Sequence, residues 1–341
     1  MNERFQWVLG VESSCDETAV AILKDGKHTA ANLIASQVDI HKSYGGVVPE
    51  LASRRHMETI NYLIDSACRQ AGLKLTDLDG IAVSKGPGLV GALIVGVSAA
   101  KALAYSLSAP FVGVNHMEGH IYANWLASAV PDFPALGLIV SGGHTALMIV
   151  EDHGRYRLLG QTRDDAAGEA YDKIARALGL GYPGGPALDK LAGAGDPGAH
   201  SFPKVYLRDG SWNFSFSGLK TAVLNLMNQL EMKGQPIHKA DIAASFQEVV
   251  TESLTYKTVE AAKAFGISRV LLAGGVAANS GLRRKMLTAR DDAGINVFIP
   301  EPALCTDNAA MIACAGYHRL RAGFRDSLSM NAEPSLDMTA M

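Results

Sequence analysis

The chain has 341 residues, with 31 Lys and Arg against 34 Asp and Glu, for a formal net charge of -3. A single core stops growing at roughly 250–300 residues, so this length predicts two lobes. At 48% hydrophobic and 19% charged the composition excludes a disordered chain, and the charge balance excludes a generally basic nucleic-acid binder while leaving room for a local basic patch.

In chain order, the start runs directly from a charged turn into a strand-like segment, with no basic region followed by an apolar one, so no signal peptide is expected. Residues 7–15 (WVLGVESSC) read as an aliphatic strand ending in a polar loop, and a further β-like run at 18–23 makes this a hairpin whose turn is offered to a ligand. Apolar residues at three- and four-residue spacing predict helices over 49–70 and 93–107. A lobe boundary is expected near 110–115. The same strand-and-loop plan returns at 136–145 (LGLIVSGGHT), followed by a β-like run at 146–150, and the two hairpins suggest a duplicated lobe. A helix over 246–265 precedes a third strand and loop at 270–279 (VLLAGGVAAN). Alternating strands and helices predict an α/β architecture. The expected division is 1–112 as the N-terminal lobe, with 308–326 returning to it, 113–307 as a C-terminal lobe carrying the metal and adenylate sites, and 327–341 as a flexible tail. Each long apolar run is interrupted before about 18–20 residues, which argues against a membrane-spanning helix and for a cytoplasmic protein. Cys15, Cys68, Cys305 and Cys314 lie far apart without a CxxC pair, which argues against a disulfide framework or zinc ribbon and for a reducing compartment.

Three groups of residues could carry chemistry. His116 and His120 enclose Met117, Glu118 and Gly119, and on a helix this spacing puts both imidazoles on one face, about 5–6 Å apart at Cβ. That arrangement suits one metal ion with a third ligand from elsewhere, while solvated or capping histidines are the alternative. Glu118 stands in the wrong place for the zincin motif HExxH. Asp307 is a candidate third ligand, or else a helix cap. The loop SGGHT offers consecutive backbone N–H groups at Gly142 and Gly143, as a phosphate nest or as a plain hairpin turn. Gly274 and Gly275, with Arg283, Arg284 and Lys285 one turn on, form a second anion candidate. Neither loop matches GxxxxGK[ST] or GxGxxG, so P-loop and Rossmann chemistry fit poorly. Asp164, Asp165, Glu169, Asp172, Lys173 and, after GYPGGP, Asp189 either cap helices or supply carboxylates for a ribose.

Taken in order, GVESSCDET, GGVVPELASRRH, KGPGLVGAL, NHMEGH, VSGGHT, YDKIARALGLGYPGGPALDKLA, FSFSGLKTAV, AGGVAAN and TDNAAMI resemble the tRNA threonylcarbamoyladenosine transferase family. This family comprises the bacterial TsaD proteins, formerly called O-sialoglycoprotein endopeptidases, and their archaeal and eukaryotic Kae relatives. The resemblance spans roughly residues 8–325. It implies a two-lobed actin/Hsp70/sugar-kinase-like (ASKHA) fold with a nucleotide cleft between duplicated lobes. The implied activity transfers a threonylcarbamoyl group from threonylcarbamoyl-adenylate to N6 of the adenosine 3′ of the anticodon, in tRNAs reading codons that begin with A. It further implies His116, His120 and Asp307 as ligands of one Fe(II) per subunit, with Zn(II) in isolated protein. Ile139, Val140, Ser141, Gly142 and Gly143 would line the intermediate near the metal, and Asp172, Gly185, Asp189 and Asn279 would bind its adenylate part. TsaB- and TsaE-like proteins are the implied partners, with no membrane.

Glu12 and Asp16 are candidate bases, and no catalytic residue is otherwise singled out. Arg54 and Arg55, and Arg283, Arg284 and Lys285, are the most concentrated basic groups and the candidates for tRNA phosphate, with surface ion pairing as the alternative. A small-molecule kinase of the same fold would explain the nucleotide loops but has no use for two histidines and a remote Asp. A metalloprotease lacks HExxH, and a non-catalytic nucleotide-sensing subunit would bind nucleotide without modifying tRNA.

Overall fold

The computed structural model describes residues 5–127, 129–205 and 210–338, which fall into two compact units. The first comprises 1–130, 152–155 and 300–341, and the second 131–151 and 156–299. The expected boundary stood at 112/113, and in this division residues 113–130, with His116 and His120, fall in the first unit. Burial is the reason, because residues 111–125 are buried without interruption and the sequence carries no loop signal there.

The first unit opens with β1 (Trp7–Glu12), β2 (Glu17–Lys24) and β3 (His28–Ser36), joined antiparallel. The short α1 (Val38–Lys42) and the long α2 (Pro49–Ala71) follow, the latter with Pro at its first turn and left-handed Gly72 closing its C-terminus. Then come β4 (Gly80–Gly86), α3 (Val90–Leu107), β5 (Phe111–Asn115) and α4 (His116–Tyr122). β4 joins β1 in parallel and β5 joins β4 in parallel, giving the order β3-β2-β1-β4-β5. β1 and β4 are buried along nearly their whole length, so they read as continuous apolar runs rather than as alternation.

The second unit repeats this order. Its elements are β6 (Ala135–Val140), β7 (Thr145–Asp152), β8 (Arg155–Gln161), α5 (Ala167–Ala177), α6 (Gly184–Ala192), α7 (Ser217–Met232), α8 (Lys239–Phe265), β9 (Arg269–Ala273), α9 (Ser280–Ala293) and β10 (Asn296–Phe298). β6 pairs antiparallel with β7 and parallel with β9, and β10 adds in parallel, giving β8-β7-β6-β9-β10. Two mixed five-stranded sheets of one order agree with the duplicated hairpins expected from residues 7–23 and 136–150.

The chain then returns to the first unit through α10 (Pro302–Cys305) and α11 (Ala309–Arg321), which packs on β1 and β4. α11 is rich in Ala and Gly for a steric reason. A Cβ at Gly10 of β1 would lie 2.4 Å from the Ala309 carbonyl oxygen, and one at Gly316 would lie 2.2 Å from the Ala82 Cβ, so helix and sheet meet backbone to backbone.

α3 is the single helix among the described residues long and apolar enough to cross a membrane, with a mean hydropathy of 1.7. The expectation that no apolar run reaches that length is thus corrected by small residues, Gly and Ala, that do not interrupt the helix. It packs against β4 and α2, burying Ala92, Leu93, Gly96, Val97, Ala100 and Ala104.

Of the tail expected at 327–341, residues 339–341 lie outside the described residues, and residues 327–338 make several bonds to the first unit. Glu333 donates its N–H to the Lys85 carbonyl at 2.7 Å, Gly88 donates to the Pro334 carbonyl at 3.1 Å, and the Asn115 side-chain amide donates to the Leu336 carbonyl at 3.3 Å. Lys101 Nζ donates to the Met330 carbonyl at 2.8 Å, and Met330 and Met338 are buried. The segment has no hydrophobic period because its pairing is through backbone groups at the ends of β4 and β5. Removing residues 327–341 is expected to lower stability by about 2–4 kcal/mol, from two apolar side chains and several hydrogen bonds. Urea denaturation of the truncated chain checks this, and an unchanged midpoint would count against it.

Candidate metal centre and adenylate site

β5 ends at Asn115, whose side-chain oxygen accepts from the N–H groups of Met117 at 2.9 Å and Glu118 at 3.4 Å and so starts α4. One turn of this buried helix presents His116 and His120 with ring centroids 4.7 Å apart and planes at 81°. Asp307 sits in the link between α10 and α11. Asn308, not Asp307, caps α11, accepting from the Met311 N–H at 3.0 Å, which disposes of the capping reading for Asp307. The Asp307 Oδ1 atom lies 3.5 Å from His116 Nε2 and 3.2 Å from His120 Nε2, and the three ligand atoms fall within 4.8 Å of one another.

The orientation of His116 was not legible in the sequence. Its Nδ1 meets Glu12 Oε2 at 3.0 Å and Ser14 Oγ at 3.1 Å, and Glu12, fully buried at the end of β1, also accepts from the Ser14 N–H. A carboxylate at Nδ1 favours the proton there and leaves Nε2 facing Asp307 as the ligand atom. Burial alone would push the His116 pKa down, but the Glu12 and Asp307 carboxylates outweigh it and carry it up to about 9. Asp307 is likewise pushed up by burial but held well below the usual carboxylate range by His116 and His120. Both directions describe a pocket that demands positive charge.

A divalent cation fits that demand. Both ring nitrogens of His120 are buried without a hydrogen-bond partner, the Asp307 contact being close in distance but off the hydrogen-bond direction. Two imidazole nitrogens and one carboxylate oxygen suit borderline ions such as Fe(II), Zn(II) or Co(II).

The five residues expected to line the intermediate near the metal and the four expected to bind its adenylate part all lie in the second unit, at the C-terminal ends of the parallel strands β6 and β9 and on the helices beside them. Ile139 and Val140 are buried in β6, while Gly142 and Gly143 are exposed in the turn closed by the Ser141 N–H donating to the His144 carbonyl at 2.8 Å. The start of α5 is docked on this turn. Gly168 donates its N–H to the Ser141 carbonyl at 3.2 Å, and a Cβ there would stand 2.4 Å from that oxygen. Gly274, at φ 89°, abuts the Val140 carbonyl in the same way. Asp172 Oδ1 accepts from the N–H groups of Gly184 at 3.0 Å and Gly185 at 3.1 Å, tying α5 to the start of α6. Asp189 accepts from the Ser280 N–H at 3.0 Å and hydroxyl at 2.7 Å. Asn279 caps α9 through its oxygen, accepting from the Leu282 N–H at 2.9 Å, and donates to Gln247 Oε1 at 2.8 Å. Gly168, Gln247 and Ser280 were not singled out from the sequence, since each acts through a contact made far along the chain.

Other candidates resolve into structure. Asp164 accepts from the Phe216 N–H at 2.7 Å and the Ser217 N–H at 3.2 Å, and from both neighbouring serine hydroxyls, so it caps α7. Burial opposes these hydrogen bonds, which nevertheless hold its pKa low. Lys173 pairs with Asp165 and Glu169. Lys285 meets Glu248 at 2.6 Å and Arg283 donates to the Ala277 carbonyl at 3.2 Å, so the second basic group is engaged within its own unit.

Comparison with known proteins places this architecture. The family model for TsaD, tRNA N6-adenosine threonylcarbamoyltransferase, matches residues 28–314. A tRNA N6-adenosine threonylcarbamoyltransferase of Symbiobacterium thermophilum is 55% identical over 334 residues, covering 97% of this chain and 96% of that one. One of Bacillus subtilis is 52% identical over 339 residues, covering 99% and 97%. Among solved structures, T. kodakarensis HypF superposes with a TM-score of 0.62 at 16% identity over 94% of this chain and 49% of that one, a likeness of fold alone. The two repeated sheets are those of the ASKHA fold, and with identity above one half over nearly its whole length the chain belongs to the TsaD family of tRNA N6-adenosine threonylcarbamoyltransferases.

Proposed function

We propose that the chain transfers threonylcarbamoyl from threonylcarbamoyl-adenylate to N6 of the adenosine 3′ of the anticodon, in tRNAs reading codons that begin with A. The observation that carries this reading is the convergence of His116, His120 and Asp307 in a chain of this family, a donor set for which a sugar kinase has no use. A mixed carbamic–phosphoric anhydride already contains a good leaving group. The new bond forms between N6 and the carbamoyl carbon, the carbon–oxygen bond to phosphate breaks, AMP departs, and the N6 proton passes to the departing phosphate.

The protein's task is then orientation and charge. The exposed N–H groups of Gly142 and Gly143 receive phosphate oxygens, and Ile139, Val140 and Ser141 form the floor beside them. Asp189, next to Ser280, accepts from the ribose hydroxyls. Asp172 holds Gly185 at the start of α6, and Asn279 flanks the adenine. Glu12 is occupied by His116 and Ser14, so it keeps the proton on His116 Nδ1 and does not serve as base. His116, His120 and Asp307 would hold Fe(II), or Zn(II) in isolated protein, and a bound divalent ion supplies Lewis acidity and a template for the threonylcarbamoyl oxygens. The adenosine must leave its stack to be reached, as single-stranded RNA recognition generally requires.

Exposed apolar side chains on two adjoining helices support a protein partner. Val90, Ile94 and Tyr105 on α3, and Met57 and Tyr62 on the adjoining α2, are each at least half exposed. A TsaB-like protein covers this face in our reading, with a TsaE-like protein completing a cytoplasmic assembly. Mass spectrometry of tRNA nucleosides after incubation with threonine, bicarbonate, ATP and these partners tests the function. Absence of threonylcarbamoyladenosine in the complete mixture, with its appearance when a known relative is substituted, would overturn it.

The tRNA contact falls to Arg54 and Arg55 on α2. Both are exposed, and the Arg55–Glu58 pair at 2.9 Å is a solvent-facing one of little strength. Arg54→Ala/Arg55→Ala is expected to reduce the slope of log affinity against log salt by about one to two, with adenylate binding unaltered. Arg283→Ala/Lys285→Ala should leave the slope unchanged. Filter binding across a salt series reads both, and an unmoved slope in the first variant would mean that partners supply the electrostatic grip.

A further inference from the structure

Glu118 lies inside the HMEGH segment, two residues after one candidate ligand and two before the other. Residues two apart on a helix point to nearly opposite sides, so its side chain leaves α4 away from the imidazoles. It is nevertheless fully buried, and its Oε2 accepts from Arg319 Nε at 2.8 Å. Arg319 is itself 10% exposed, in the last turn of α11, with its guanidinium over the Phe324 ring at 5.6 Å. α11 is the helix that begins directly after Asp307. Thus one pair of elements carries the whole donor set, α4 with the histidines and the start of α11 with the carboxylate, and the same two helices are bonded again on the far side by Glu118 and Arg319. Between these points they touch without a spacer, since a Cβ at Gly119 would lie 2.7 Å from Ile312 Cδ1 and 3.3 Å from Met311 Cγ.

We propose that the Glu118–Arg319 pair is a positioning device for the metal centre, fixing the rotation and slide of α4 on α11 so that His116 and His120 stay in register with Asp307. A seven-residue helix has less than two full turns, so few hydrogen bonds of its own set its rotation. A directional, charge-assisted bond on the side opposite the ligands fixes that rotation. A buried ion pair adds little net stability over apolar groups of the same volume, so orientation rather than stability explains a charge at this depth. The inference rests on the metal reading of His116, His120 and Asp307.

The test titrates Co(II) into metal-free full-length chain and records its d–d absorption, which reports ligand geometry, alongside the thermal midpoint of the metal-free protein. The parent should bind one Co(II), and His116→Ala should remove the band. Glu118→Leu/Arg319→Met replaces the pair by apolar groups of similar size and is expected to keep the thermal midpoint while weakening Co(II) binding about tenfold or more and shifting the band. Glu118→Gln, which still accepts from Arg319 but without charge assistance, should fall between the two; it decides the question if the double variant does not fold. Parental affinity and spectrum in a folded double variant, or in Glu118→Gln where that alone folds, would overturn the proposal and leave the metal reading intact. No Co(II) bound by the parent would overturn the metal reading and this inference with it.

Discussion

A chain carrying both His116→Ala and His120→Ala is expected to hold no metal and to lose transfer activity by about a hundredfold or more. Two of three donors disappear, and Asp307 alone, with its side chain one quarter exposed, offers no chelate. The fold should survive, because α4 keeps its Asn115 cap and its Glu118–Arg319 bond on the other side of the helix. Asp307 then loses the two neighbours that hold its pKa down, and burial pushes it back up. Metal content per chain by mass spectrometry and threonylcarbamoyladenosine yield are the two readouts. Full metal stoichiometry in the double variant would defeat the assignment of the site.

Gly143→Val is expected to weaken binding of a non-hydrolysable adenylate analogue by about ten- to a hundredfold while leaving stability nearly unchanged, with the cost confined to lost N–H contacts to phosphate. A Cβ at this position meets no atom within 4 Å, so valine has room in the free protein and obstructs only what approaches the turn. Asp189→Ala should weaken the same binding by about tenfold. It also frees the Ser280 N–H and hydroxyl, and loosening the start of α9 costs about 1 kcal/mol. Asp189→Asn separates these effects, because it keeps an acceptor for Ser280 while removing the charge that favours ribose hydroxyls. Calorimetry reads all three variants. Unchanged affinity in Gly143→Val and Asp189→Ala together would reduce the turn to a hairpin and the carboxylate to a cap.

The site was unevenly legible. HMEGH announces two imidazoles on one helical face, and an interrupted aliphatic strand followed by SGGHT announces a turn with bare backbone, because both signals depend on spacings of a few residues. The helices over 49–70, 93–107 and 246–265 were read from period and have their counterparts in Pro49–Ala71, Val90–Leu107 and Lys239–Phe265, the starts moving by up to seven residues where tertiary packing extends a weak pattern. Glu12, Ser14 and Arg319 were not legible as partners of α4. Their contacts span 102 to 201 residues of sequence, and no periodicity encodes such a distance.

By itself the sequence determined the α/β class, the repeated hairpins, the metal-type spacing of His116 and His120, and, through its ordered motifs, the family. Each of these is a local pattern, set by side-chain size, backbone freedom and helical or strand period within a few residues. Only the tertiary structure decided that Asp307 joins the histidines instead of capping a helix, that Glu12 is bonded to His116, that His116 and His120 belong to the first unit, and that the segment 330–336 is bonded to the ends of β4 and β5. Those outcomes depend on which groups lose water together when remote segments meet. A buried carboxylate takes whichever donor or cation lies nearest, and that neighbour is chosen by the packing of α4, α11 and β1.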